Sequence, residues 1–156
     1  MISRRQLLRN GAAGMLLVTL LAAVLGGCGH GVANTGVVPV KWDRDTCTRC
    51  QMVLSDRRFA AEVRGGPGSL LCKFDDIGCA VSWLSAQTWE SEPATRIWVA
   101  ALASRGERTE WLDARRAWYL SGQSSPMGYN FGALAAAAPA ALDFDAMRRL
   151  ALARGH

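Results

Sequence analysis

Apolar and polar residues alternate along the middle of this 156-residue chain in a pattern that predicts two strands and a helix. Every second residue is apolar in Arg58–Arg64 and again in Leu70–Phe74, as in half-buried strands. Apolar residues then recur at helical spacing over about 77–86. Asp75 or Asp76 can cap the N-terminus of this helix, and capping is the simplest role for the acidic pair.

The second part of the chain repeats this order of elements in pattern. Three strands and two helices are predicted there: strands over 97–102, 109–112 and 118–121, an alanine-rich helix over 132–138, and a last helix capped by Asp143. Each part thus contains two strands followed by a helix. We therefore predict an α+β fold of two similar small halves, about 41–93 and 94–156, packed together.

The N-terminal residues 1–27 have the features of a bacterial export signal. They carry three arginines, no acidic residue, and an apolar run over 12–25 that is shorter than the ~20 residues of a membrane span. The run ends in Leu25-Gly26-Gly27-Cys28, which resembles a lipobox. We predict cleavage before Cys28 and lipidation of its thiol; an uncleaved anchor with a buried cysteine is the alternative.

The residues that follow Cys28 predict a tether between the lipid and the folded domain. Residues 29–40 are glycine-rich and uncharged, so we assign 28–40 to this tether and begin the domain near Lys41. The chain has 18 basic residues and a net charge of +5, and three of these basic residues lie in the predicted export signal, residues 1–27. The basic character is thus in part an export feature, and we expect no nucleic-acid partner.

Sulfur is abundant in this chain and imidazole is scarce. There are five Cys and five Met but only two His, His30 and His156, which flank the predicted domain. This distribution disfavours Ser-His or Cys-His catalysis and any imidazole base, so we expect a protein that is not an enzyme. A bound metal would be held mostly by sulfur.

The segment Cys47-Thr48-Arg49-Cys50-Gln51-Met52 carries the strongest chemical signal. Two thiols and a thioether on a short loop are soft donors that favour Cu(I). A local disulfide between Cys47 and Cys50, with Met52 packed in the core, is equally compatible with the spacing. A thioredoxin-like role needs the cysteine pair at a helix N-terminus after a buried strand, and residues 41–46 do not have such a pattern.

The remaining cysteines have simpler interpretations. Cys72 alternates with apolar strand residues, and Cys79 lies one turn before Trp83, so both are predicted to pack in the core. A disulfide between them stays open. A zinc site of four thiolates, joining them to Cys47 and Cys50, lacks the spacing of two Cys-x-x-Cys knuckles.

Met127 differs from the methionines that are predicted to fill the core. It lies in a Pro-Met-Gly turn, whereas Met147 shares a predicted helix face with Leu150 and Ala151. Met127 is therefore a candidate soft ligand from the second half.

In their order and spacing, these motifs resemble the NosL family, the copper-binding accessory lipoproteins of nitrous oxide reductase maturation. The resemblance rests on Cys28, Cys47-x-x-Cys50-x-Met52, Phe59-Ala60-Ala61-Glu62, Phe74-Asp75-Asp76-Ile77-Gly78-Cys79, Trp111-Leu112-Asp113-Ala114 and Ser125-Pro126-Met127-Gly128-Tyr129. It implies a fold of two similar ββαβ-type halves.

The resemblance also implies a function. It indicates a periplasm-facing lipoprotein that carries Cu(I) to the copper-sulfide centre of nitrous oxide reductase, with that enzyme's maturation transporter as a partner. By position, Cys50 and Met52 form the ligand pair, Met127 is the ligand from the second half, and Cys47 is a less constant ligand. The alternative is a periplasmic thiol-disulfide oxidoreductase that uses Cys47 and Cys50.

This chain departs from the family pattern at Gln51, where a glycine is usual. Glycine adopts a positive φ readily, whereas glutamine does so at a cost. The backbone conformation at Gln51 is therefore a test of whether the loop keeps the family's geometry.

Overall fold

Six strands and two helices are found among residues 36–155, the part of the chain that the computed structural model describes. In chain order they are β1 (Ala61–Gly65), β2 (Leu70–Phe74), α1 (Ile77–Leu84), β3 (Arg96–Ala100), β4 (Trp111–Asp113), β5 (Trp118–Ser121), β6 (Phe131–Leu134) and α2 (Phe144–Arg154). The predicted α+β class is confirmed. The predicted signal peptide, Cys28, His30 and His156 lie outside the described residues.

The strands form a four-stranded antiparallel sheet in the order β2-β1-β3-β4 and a separate antiparallel pair, β5-β6. Ala61 of β1 lies opposite Phe74 on one side and Val99 on the other. Strand β3, which the sequence assigns to the second half, thus completes a ββαβ unit with β1, β2 and α1. The later elements β5, β6 and α2 also run strand, strand, helix, but they are not the predicted repeat: the predicted strand-to-helix junction at 129–132 leads into strand β6, and the helix begins only at Phe144.

Helix α1 begins where the sequence predicts because its cap is present. The Asp76 side chain accepts a hydrogen bond from the Gly78 amide at 2.9 Å, as an N-cap residue does. The apolar face of the helix is buried and packs on β1, β2 and α2. The cap fixes the direction of the first turn, which carries Cys79.

A loop from the second part of the chain is fastened to this same helix end. The Ser125 hydroxyl donates a hydrogen bond to Asp76 Oδ2 at 2.5 Å. The Tyr129 ring lies so close to Gly78 that a β-carbon there would be 1.9 Å from the ring. The Tyr129 and Ser82 hydroxyl groups are 3.2 Å apart. These contacts hold residues 125–130 against the start of α1.

Two predictions of local structure are wrong. The alanine-rich segment over 132–138 is not a helix, because Phe131–Leu134 pairs with β5 as strand β6. The buried side chains of Phe131 and Ala133 give this segment a half-buried strand environment that overrides alanine's helix propensity. In α2, Met147 is buried as predicted, but Leu150 is 45% exposed.

The chain is attached to the sheet before the predicted start of the domain at Lys41. The Val38 amide donates to Glu62 Oε2 at 3.0 Å, and Lys73 Nζ donates to the Pro39 carbonyl at 2.9 Å. Residues 38 and 39 therefore belong to the folded body. Neither described helix is long and apolar enough to cross a bilayer.

Candidate metal centre

Cys47 and Cys50 lie in the turn of a short hairpin-like loop. Thr46 and Val53 form an antiparallel bridge, and the Cys47 amide donates to the Met52 carbonyl at 2.8 Å. The Gln51 amide closes the turn onto the Cys47 carbonyl at 3.0 Å. Backbone hydrogen bonds thus fix both cysteines independently of any ligand.

Gln51 has a φ of +64°, in the left-handed region. The turn therefore adopts the conformation for which glycine is suited, at a cost of about 1–2 kcal/mol for a residue with a β-carbon. The Gln51 side chain offsets part of this cost by donating from Nε2 to the Thr48 carbonyl at 3.1 Å.

The loop is joined to the edge of the sheet beside the start of α1. The Thr48 amide donates to the Lys73 carbonyl of β2 at 2.8 Å. Strand β2 ends at Phe74, so Asp75 follows directly, and Cys79 lies in the first turn of α1. This backbone contact, together with the ion pair between Lys73 of β2 and Asp45 at 2.6 Å, brings residues 25 or more positions apart into one place.

Four side chains converge there and form a site able to hold a metal ion. The ligand atoms of Cys47, Cys50, Asp75 and Cys79 all lie within 4.8 Å of one another. Cys47 and Cys79 are fully buried and Asp75 is 2% exposed, while Cys50 is half-buried. The Cys50 thiol donates to Asp75 at 3.5 Å from Oδ1 and 3.6 Å from Oδ2. The site opens to solvent on the side of Cys50.

Neighbouring donors favour the ionised form of the Cys47 sulfur. A hydrogen bond from the Cys79 thiol, helped by the Cys50 and Asp75 amides, lowers the pKa of Cys47 to about 4. The same hydrogen bond raises the pKa of Cys79 far above its ordinary value.

The other two groups are held towards their neutral forms. Burial, with the neighbouring Cys47 sulfur, raises the pKa of Cys50 to about 11 and that of Asp75 to about 7. Buried anions this close repel one another, and a cation among them removes that repulsion. Three thiols and a carboxylate suit soft or borderline ions such as Cu(I) and Zn(II).

Of the four predicted ligands, the structure places the two cysteines in the cluster and the two methionines at other positions. Cys47 and Cys50 belong to the cluster. Met52 follows Cys50 in the same loop and is 57% exposed. Met127 is partly buried against the core, in the loop that Ser125 fastens to α1. The roles of the two methionines stay predictions.

Sequence reasoning missed two members of the cluster. Cys79 is buried, as predicted for packing, but its sulfur also faces the two loop thiols. The sequence predicts that Asp75 or Asp76 caps α1, and it is Asp76 that accepts the cap hydrogen bond. A sequence signal for them exists: Asp75, which the helix cap does not need, and Cys79 lie four positions apart at the junction between a strand and a helix.

The alternative pairings of the cysteines are not found. Cys47, Cys50, Cys72 and Cys79 are all free thiols. Cys72 is buried in β2 and does not belong to the cluster, so the core prediction for it is confirmed and a four-thiolate site that includes it is not formed.

Comparison of the chain with protein-family models, with curated proteins and with solved structures finds no match.

Proposed function

We propose that this protein is a Cu(I) carrier rather than an enzyme. The observation that carries the proposal is the convergence of three sulfur atoms in one pre-shaped cluster whose accessible member is Cys50. Thiolate sulfur is the donor that Cu(I) prefers among protein ligands. Because hydrogen bonds already fix the loop and the helix start, little chain ordering opposes binding.

The exposure of the site suits transfer of the ion. Two donors, Cys47 and Cys79, are buried, while Cys50 is reached from solvent. Met52, two residues further on, offers an exposed thioether in the same loop. A ligand from a partner can approach on this side and replace one donor at a time, whereas a closed structural site releases its metal slowly.

The cellular setting of the proposal comes from the sequence. The lipobox at Cys28 supports a lipoprotein held at a bacterial membrane and facing the periplasm. The resemblance to the NosL family supports nitrous oxide reductase and its maturation transporter as partners, with the copper-sulfide centre as the destination of the copper. We propose this route for the ion.

The placement of the two loop thiols favours this function over disulfide exchange. An attacking thiol must be accessible and ionised. Here Cys47, whose pKa is lowered, is fully buried, whereas burial raises the pKa of Cys50, the half-buried thiol. The pair also lies in a hairpin loop and not at a helix N-terminus.

An anaerobic titration of the reduced protein with Cu(I), in competition with a chromophoric Cu(I) chelator, tests the proposal. Cys50→Ser is expected to weaken binding by more than about 100-fold, the upper end of what loss of an outer-shell partner costs. Cys72→Ser, a buried thiol outside the cluster, is the matched control and should bind as the wild type does. Unchanged affinity in Cys50→Ser overturns the assignment.

The same titration tests whether Met52 and Met127 are ligands of Cu(I). If Met52 or Met127 is a ligand, replacement by leucine keeps the volume and removes the sulfur, so that Cu(I) affinity falls while thermal stability does not. Met147→Leu, a buried core methionine, is the control for a change of this kind. Equal affinity in all three variants would restrict the site to the thiols.

A further inference from the structure

Asp75 has no structural duty in the helix cap beside it. Asp76 accepts the cap hydrogen bond from Gly78 and the hydroxyl of Ser125. The Asp75 carboxylate is instead aimed at the thiol cluster, where it accepts from Cys50 Sγ. Burying a carboxylate at 2% exposure is costly unless it has a charged or hydrogen-bonding partner. Its position therefore points to a role in the cluster.

The separation of Cys50 and Asp75 already matches one edge of a zinc tetrahedron. With Zn–S bonds of about 2.3 Å and Zn–O bonds of about 2.1 Å, tetrahedral angles place sulfur and oxygen about 3.6 Å apart. The observed distance from Cys50 Sγ to Asp75 Oδ1 is 3.5 Å. The remaining separations, all within 4.8 Å, need to contract towards about 3.8 Å for sulfur pairs. Rotation of buried thiols about χ1 suffices for shifts of this size.

The charge of the ion decides how many of these donors it uses. Three thiolates and a carboxylate carry four negative charges. Zn(II) would leave two of them uncompensated, as in a site of four cysteines, whereas Cu(I) would leave three. Uncompensated charge in a buried site is costly, so a monovalent ion gains little from the carboxylate. Cu(I) also prefers sulfur to carboxylate oxygen, while zinc accepts both.

We propose that Asp75 is the specificity-determining residue of this centre: it is the fourth ligand for Zn(II), in a tetrahedral set with the three thiolates, and stays outside the ligand set of Cu(I). The copper arm of this inference rests on the proposed function, and the zinc arm stands on the cluster alone. Zn(II) and Cu(I) would then compete for one site, and their ligand sets would differ by a single oxygen atom, that of Asp75.

The test measures both metals on the full chain carrying Asp75→Asn. Zn(II) affinity is measured by competition with a chromophoric chelator, and Co(II) is used as a spectroscopic substitute that reports tetrahedral thiolate ligation. We expect Asp75→Asn to lower Zn(II) affinity by at least about 10-fold and to change the Co(II) ligand-field bands. Cu(I) affinity should stay within about threefold of the wild type. Cys72→Ser should change neither metal.

A rescue variant separates ligation from folding. Asp75→Cys supplies a different fourth donor at the same place and should retain Zn(II) binding that Asp75→Asn loses. Circular dichroism and thermal unfolding establish that each variant is folded. Should Asp75→Asn fail to fold, Asp75→Cys alone is decisive, because a Co(II) spectrum with a fourth sulfur-to-cobalt band is expected only if position 75 touches the ion.

The outcomes distinguish this inference from the proposed function. Unchanged Zn(II) affinity in Asp75→Asn, or no zinc binding in Asp75→Cys, overturns the inference. An equal loss of both metals in Asp75→Asn also overturns it, because Asp75 would then not discriminate. A wild-type protein that binds Zn(II) through Asp75 but not Cu(I) overturns the proposed function and leaves the zinc ligand standing.

Discussion

The ring of Tyr129 occupies the space that a β-carbon on Gly78 would fill, with Cγ of the ring 1.9 Å from that position. Gly78 is the second residue of α1 and the neighbour of Cys79, so this contact joins the second part of the chain to the turn that supplies one ligand of the centre. The absence of a side chain at one position thus sets the distance between two parts of the fold.

Gly78→Ala is expected to destabilise the protein by at least about 1–3 kcal/mol, the usual cost of overpacking. The added methyl group must displace the Tyr129 ring or the first turn of α1. Urea unfolding measures the change. The double variant Gly78→Ala/Tyr129→Ala is the control, because removal of the ring should make the alanine far less costly. Additive effects of the two changes would contradict the steric explanation.

The left-handed turn at Gln51 predicts the order of stability of the wild type and two variants at this position. Glycine removes the strain of a positive φ but adds freedom to the unfolded chain, and these terms of about 1–2 and 0.5–1 kcal/mol partly cancel. Alanine keeps the strain and loses the hydrogen bond to Thr48. Glycine loses that hydrogen bond as well, so we expect Gln51→Gly to lie within about 0.5 kcal/mol of the wild type and Gln51→Ala to be less stable than both. Thermal unfolding of the metal-free protein gives the order, and a glycine variant below alanine would refute it.

Glu62 makes stability depend on pH with a defined sign. Burial raises the pKa of Glu62 above its ordinary value of 4.5. The hydrogen bond from the Val38 amide and the charges of Lys73 and Arg64 oppose this shift, and the charge of Asp45 adds to it. A group with a raised pKa in the folded state stabilises the fold fully below its ordinary value, and the contribution is lost as pH rises through the raised value.

Glu62→Gln removes this dependence. The difference in unfolding free energy between variant and wild type should therefore move in favour of the variant as pH rises above 4.5. Urea unfolding at a series of pH values between 4 and 7, about the carboxyl range, provides the measurement. Glu92→Gln, at an exposed position, is the control and should follow the wild-type curve. Parallel curves for Glu62→Gln and wild type would contradict the prediction.

Oxidation should block the centre at the clustered thiols and spare Cys72, the other cysteine in the described part of the chain. A small-molecule disulfide can take two electrons and two protons from a pair among Cys47, Cys50 and Cys79, which lie within 4.8 Å of one another. We expect one protein disulfide, loss of metal binding, and a reduced Cys72. Peptide mapping by mass spectrometry after alkylation identifies the pair. A disulfide that includes Cys72, or full metal binding by the oxidised protein, would be the opposite result.

The sequence predicts those elements whose causes are local. Asp76 and the apolar face behind it are sufficient to predict α1, and alternation is sufficient for β1 and β2. Strand β6 is not predictable in this way, because Phe131–Leu134 is held extended by long-range pairing, with β5 along its length and with Ala101 at Ala133.

The same distinction applies to the centre. The spacing of Cys47 and Cys50 predicts a site. Asp75, however, is adequately explained as a cap residue, and Cys79 as a side chain packed in the core. Their membership depends on long-range contacts such as the hydrogen bond between Thr48 and Lys73 and the ion pair of Lys73 with Asp45, which no local pattern encodes.

The attachment of Val38 and Pro39 to the sheet sets a length on the proposed anchor. With lipid on Cys28, residues 29–37 lie between the acylated end and the hydrogen bond that Val38 makes to the folded body. Nine residues span at most about 32 Å when fully extended. The metal centre would then be confined to a shallow layer above the bilayer. Proteins embedded in or bound to the same membrane would be within its reach, whereas freely diffusing proteins would have to approach the membrane to meet it.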